Sequence, residues 1–172
     1  MMVSVKSTDW QAVLVELLNT TPVVDGEATD LLVDASAARS WLLAHGGART
    51  DDLDELRRVR DELQRVVWGE SAPAALAPYL SGVRQVPHLD ADGLTWSFDG
   101  VDWPAQVVLA WGAVESEAPG RLRPCANDEC RLFLLDRSRG GTARWCSMSG
   151  CGNRMKARRH YHRTSGATEA VQ

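Results

Sequence analysis

Apolar residues recur at helical spacing in several separate stretches of the chain. Trp10, Val13, Leu14, Leu17 and Leu18 stand at i, i+3, i+4, i+7 and i+8, a single stripe along a helix that Thr8 or Asp9 would cap. Residues 34–45 read as a second helix, with Ala35, Ala38 and Leu42 inward and Gly46-Gly47 as its stop. A third begins after Thr50 or Asp51, carries acids in its first turn and buries Leu53, Leu56, Val59, Leu63, Val66 and Val67 before Gly69 ends it. Pro73 opens a short Ala-rich helix, and Asp102 caps a last one whose face is Trp103, Val107, Ala110, Trp111 and Val114. Between these the period falls to two. Leu94, Trp96 and Phe98 alternate with Thr95 and Ser97 after Asp92-Gly93, which predicts a hairpin with Val86 and His88 on its first strand. Six of the seven tryptophans lie on these elements, where the spacing assigns them to packing.

Ala118-Pro119-Gly120 interrupts the pattern and reads as a linker. It also divides the charge. The 172 residues carry a formal net charge of −4, but residues 1–120 hold 8 basic and 19 acidic side chains, whereas residues 121–163 hold 11 basic and 3 acidic, a local balance of +8. A basic block on an acidic body is the asymmetry expected when one segment meets a polyanion. No apolar run is long enough to span a bilayer and the first residues lack the apolar centre of a signal peptide, so a cytoplasmic protein with no membrane partner is expected.

All four cysteines fall in the basic block, as Cys125-x4-Cys130, fifteen intervening residues, and Cys146-x4-Cys151. Paired thiolates a few residues apart suit one tetrahedral Zn²⁺, whereas disulfides have little use in a cytoplasmic chain. A segment this short also has too little core to fold without a staple. Leu132-Phe133-Leu134-Leu135 reads as a strand and Asp136 to Gly141 as a turn, with Ala143-Arg144-Trp145 returning as the second strand; a knuckle and helix follow from Cys146. Knuckle, hairpin and helix in this order describe a treble-clef-like α+β finger following a mainly α N-terminal domain with a small β-hairpin. The expected boundaries are 1–117 for the helical domain, folding independently, 118–120 for the linker, 121–163 for the finger and 164–172 for a disordered tail.

Four runs carry a family resemblance: Cys125-Ala126-Asn127-Asp128-Glu129-Cys130, Asp136-Arg137-Ser138-Arg139, Arg144-Trp145-Cys146-Ser147-Met148, and Cys151-Gly152-Asn153-Arg154 followed by Lys156. Together they resemble the CGNR-type zinc finger, which in bacterial proteins follows an N-terminal ABATE domain, here echoed by Leu18-Asn19-Thr20. The resemblance implies a stress-linked transcription regulator whose finger contacts DNA. One departure is Gly140-Gly141-Thr142-Ala143, where relatives often carry a basic run.

Zn²⁺ on four thiolates leaves the block at about +6. Arg154, Lys156, Arg158, Arg159 and Arg163 fall on the last helix, and Arg137 and Arg139 on the turn, which makes them the candidate contacts to double-stranded DNA. Arg144 and Arg154 are also placed to balance the anionic metal site, and Asn153 either meets a base edge or clamps a turn. His160 and His162 are not needed as ligands. Trp145 is expected to pack the small core. No nucleophile elbow, phosphate loop or metalloprotease helix occurs, so no enzyme is expected. The N-terminal domain is left with sensing, dimerisation or both, which a homodimer or a small-molecule effector would serve. The alternative reading is a zinc-stapled module docking on an acidic protein.

Overall fold

The computed structural model describes residues 7–24 and 26–168, with the side chains of residues 7–9, 160 and 162–168 outside that description. Helix α1 (Ser7–Leu18) is followed by a two-residue pair, β1 (Val23–Val24) with β2 (Glu27–Ala28), and then by α2 (Ala35–Ala44) and α3 (Leu53–Trp68). A 3-10 helix (Pro73–Leu80) leads to β3 (Arg84–Asp90) and β4 (Gly93–Asp99), then α4 (Trp103–Glu117), β5 (Leu122–Pro124), β6 (Phe133–Leu135), a π-type turn (Met148–Gly152) and α5 (Asn153–Thr168). The chain is thus mostly helical, with small antiparallel strand pairs.

The predicted stripes face one another. Leu14, Leu17 and Leu18 of α1 pack between α3, through Leu56, Val59 and Leu63, and α4, through Trp103, Val107 and Val114. Trp103 stands edge-on to both Trp10 and Trp41, with ring centroids 6.1 and 5.7 Å away, and donates its indole N–H to the His45 carbonyl at 3.1 Å. Trp96 departs from the packing expected of it and is more than half exposed.

Helix starts follow the caps, with two shifts. Asp34 accepts from the Ala37 N–H and Asp102 from the Ala105 N–H, both at 2.8 Å. α3 is capped by Asp52 instead of Thr50 or Asp51, because the Asp51 carboxylate turns back to the Ala48 N–H at 2.6 Å. α1 is already helical at Ser7, the first described residue, so Thr8 and Asp9 lie within the helix and not before it. At the other end α5 runs to Thr168, past the boundary expected at residue 163, and residues 169–172 lie outside the described residues.

The core continues across the expected linker. Leu122 and Phe133, from β5 and β6, belong to the same buried cluster as α1, α3 and α4, and the Phe133 ring lies 4.9 Å from that of Trp68. Asn19 completes the junction by acting as a neighbouring strand would. Its amide donates to the Phe133 carbonyl at 3.2 Å and accepts from the Phe133 N–H at 2.7 Å.

A buried charge fixes the loop between α1 and α2. The Arg60 guanidinium, on α3, reaches both carboxylate oxygens of Asp30 at 2.6 and 2.9 Å, with Asp61 and Thr20 as further partners. Burial, the largest single influence, would by itself raise the Asp30 carboxyl, but the Arg60 hydrogen bonds, the Leu32 N–H and the charges of Arg60 and Arg57 together outweigh it and hold the group below its ordinary 3.8. A depressed carboxyl stabilises the fold above its ordinary range, and that contribution disappears as pH falls through the lowered value. Asp30→Asn is therefore expected to cost about 2 kcal/mol at neutral pH, because Arg60 keeps only the exposed Asp61 as an anionic partner. Denaturant melts at pH 7 and pH 3 check this: the gap between parent and variant narrows in acid.

Candidate metal centre and basic surface

Strands β5 and β6 pair in register, Leu122 with Leu135, Arg123 with Leu134 and Pro124 with Phe133. This corrects the strand expected over residues 143–145. Those residues lie beside the ladder without joining it, since the carbonyls of Gly141 and Ala143 accept from Arg123 at 2.9 and 2.7 Å and that of Arg144 from the Ala126 N–H at 2.8 Å. At the centre of this loop is the buried Asp136. Its carboxylate pairs with Arg123 and accepts from the Ser138 and Ala143 N–H groups at 2.9 and 3.0 Å. Hydrogen bonds from Ser138 first, joined by those from Ala143 and the charge of Arg123, hold the carboxyl below the usual aspartate range.

The ladder delivers the first two thiols. The Cys125 N–H donates to the Leu132 carbonyl, extending the pairing by one step, and the Cys130 N–H closes a turn on the Asn127 carbonyl, each at 2.8 Å. The second two come from the segment after the loop. Ser147 caps the π-type turn by accepting from the Gly150 N–H at 3.2 Å, and the turn swings Cys151 back toward Cys146. Gly152 lies close under the Trp145 ring, which a Cβ there would approach to 3.3 Å, and under the Met148 side chain, which would have to move aside, so Trp145 packs on the turn as expected.

All four sulfurs lie within 4.8 Å of one another, and the Cys130–Cys146 and Cys146–Cys151 separations are 3.7 Å. An ion about 2.3 Å from each of four tetrahedral sulfurs sets them about 3.8 Å apart, so the donor set fits Zn²⁺ in number, softness and spacing. It does not fit disulfides, whose sulfurs are bonded at about 2.05 Å. The surroundings favour the metal too. Burial pushes the Cys130 thiol up to about 11 and, with hydrogen bonds from Cys130 and Cys151, raises Cys146. Four crowded thiolates need a cation to coexist. Burial acts on Cys151 in the same sense, but hydrogen bonds outweigh it, that from the Asn127 amide first, and bring its thiol below the ordinary value.

Asn127 is the supporting residue that spacing did not reveal. It is 1% exposed, donates to the Cys151 sulfur at 3.4 Å and accepts from the Glu129 N–H at 3.4 Å. Asn127→Ala is expected to weaken zinc binding about 10- to 100-fold without changing its stoichiometry, as a competitive chelator titration would read.

The basic residues divide into braces and free cations. Arg121 and Arg123 hold the 136–143 loop, Arg131 lies over the Trp68 ring and Arg144 over the Trp145 ring, each at 5.3 Å. Arg158 reaches Glu129 at 3.2 Å across an exposed pair. Asn153 clamps the preceding turn, its amide donating to the Ser149 carbonyl at 3.4 Å. Arg137, Arg139, Arg154, Lys156 and Arg159 are exposed and have no acidic partner among the described residues. The Arg163, His160 and His162 side chains lie outside the described residues. Two clefts, of about 300 and 340 Å³, lie where the finger meets the helical body, one beside Arg121 and Glu117 and the other beside Trp68 and Arg131.

Four clustered thiolates on a small strand pair and a knuckle, joined to a helical body, define a zinc-binding protein with the metal at its C-terminal end. Residues 121–164 match the CGNR zinc finger, and residues 11–128 match the ABATE family, described as "Putative stress-induced transcription regulator". The chain belongs to the ABATE family, and its cofactor is Zn²⁺. Neither family is described as an enzyme. No curated protein matches the chain. No helix among the described residues is long and apolar enough to cross a membrane.

Proposed function

We propose that the protein is a cytoplasmic transcription regulator whose zinc finger docks α5 against duplex DNA, with the helical body as the sensing or assembly domain. The observation that carries this reading is the set of unpaired cations on and beside α5. The helix leaves the metal centre by its first turn and is exposed along its described length apart from Met155. At about 100° per residue, Arg154 and Arg158 fall on one side, while Lys156, Arg159 and Arg163 gather on the opposite side. Cations on two faces are poorly suited to a single acidic patch on a protein. They suit a helix in a groove walled on both sides by phosphates.

Within that reading Arg137 and Arg139 add phosphate contacts from the loop. Arg158 contributes less, since it must leave Glu129, although an exposed pair of this kind costs only about 0.5 kcal/mol to break. Asn153, already engaged with Ser149, acts as the clamp of the turn, which leaves Arg154 as the residue best placed to read a base edge.

The test is binding of the zinc-loaded full chain to a labelled duplex, a single-stranded RNA and an acidic peptide side by side. The reading expects the duplex to be preferred and the preference to disappear on chelation. Preference for the peptide or the RNA overturns it. Footprinting of the purified protein across genomic fragments would then find the sites.

A further inference from the structure

The ribbon of β3 and β4 is amphipathic, and its apolar face is bare. Its register sets Gln85 beside Phe98, Pro87 beside Trp96 and Leu89 beside Leu94 on one face, with Arg84–Asp99, Val86–Ser97 and His88–Thr95 on the other. A hydrogen bond of 2.7 Å between His88 and Ser97 ties the polar face. On the apolar face Leu89 is 82%, Leu94 59%, Trp96 55% and Phe98 53% exposed. Among the described elements the two strands pack substantially only on each other. The ribbon leaves the body through a narrow neck, where a Cβ on Gly100 would lie 2.7 Å from the Gly82 carbonyl oxygen.

We infer that this face is where a second copy of the chain docks, apolar ribbon face against apolar ribbon face about a two-fold axis. A two-fold contact requires a patch complementary to itself, and a row of apolar side chains without a charged residue meets that requirement. Body on body or finger on finger would set like charges together, since the helical body is strongly acidic and the finger strongly basic, and such faces repel. The area reaches the threshold. The four exposed side chains present about 500 Å² per copy, so their complete burial in a symmetric contact would remove about 1,000 Å² in total, near the lower bound of a specific interface. Pro87 removes a donor from β3, which disfavours open-ended strand addition along that edge and leaves the face as the contact. The inference is independent of what the finger binds.

Sedimentation of the zinc-loaded full chain over a concentration series tests it. A reversible dimer is expected, with a dissociation constant raised at least 30-fold, about the loss of one central anchor, in Leu89→Lys and in the double variant Trp96→Thr, Phe98→Thr. Helicity and zinc content should match the parent. A parent that stays monomeric at about 100 μM, that assembles beyond a dimer, or that dimerises as well in both variants overturns the proposal. Should the double variant disturb the ribbon, Leu89→Lys alone decides, because that side chain is the most exposed on the face.

Discussion

Replacing Cys151 by serine is expected to weaken zinc binding by on the order of a thousand-fold and to unfold the finger, because structural zinc supplies most of the folding free energy of such small modules. Cys151 is the ligand with most at stake. It is buried, receives the Asn127 amide and sits in the turn that launches α5. Its loss removes a ligand, strands a buried amide and detaches the helix together. The damage should spread, since β6 is anchored in the shared core through Phe133 and Asn19. Metal content after dialysis should fall from one zinc per chain to near none, and the helical body should melt at a lower temperature than in the parent. Retention of one zinc and an unchanged melt would count against this arrangement of ligands.

The second large effect comes from the junction itself. Phe133 is 1% exposed and packs on Trp68, so Phe133→Ala is expected to cost about 3–4 kcal/mol, near the value for a fully buried aromatic. In a chain of this size that lowers the melting temperature by roughly 10 °C. Asn19→Ala removes both hydrogen bonds to the Phe133 backbone and should cost about 1–2 kcal/mol, since the carbonyl and N–H it leaves are only part-buried. A chain ending at Glu117 keeps α1 to α4 and, as proposed for an independently folding domain, should still unfold cooperatively. It lacks Leu122 and Phe133, however, and should melt below the full protein by at least as much as Phe133→Ala does. Calorimetry of the three variants against the parent gives the comparison.

The helices were legible because their stripes are long, and the metal ligands because thiol spacing constrains chemistry more tightly than it constrains fold. The pairing of β5 with β6 was not legible. Three-residue strands show no alternation, and what selects Leu122 as the partner of Leu135 is a set of contacts to Asp136 and Arg123 that becomes local only after folding. Asn19 follows the apolar stripe of α1 and carries no periodic signal, yet its amide stands in for a strand 114 residues away. Asn127 and Asp136 have the composition of turn residues, and only burial separates them from surface turns. The hairpin illustrates a different limit. Alternation identifies which side chains share a face, but a period-two pattern is the same whether the face is covered by its own chain or left bare, so it assigns Trp96 to packing although that side chain is exposed.

The proposed function turns on neutralisation of DNA phosphates by the cations of α5. It is tested most directly by anisotropy of a labelled nonspecific duplex titrated with zinc-loaded protein over a series of salt concentrations, comparing the parent with Lys156→Ala, Arg159→Ala. Each phosphate neutralised contributes about −0.9 to the slope of log affinity against log salt, so the four free cations not assigned to a base edge, Arg137, Arg139, Lys156 and Arg159, predict a parent slope of about −3.6. The double variant should bring it to about −2 with zinc content unchanged. A parent that does not bind the duplex at low salt, or a double variant with the parent's affinity and slope, would contradict it.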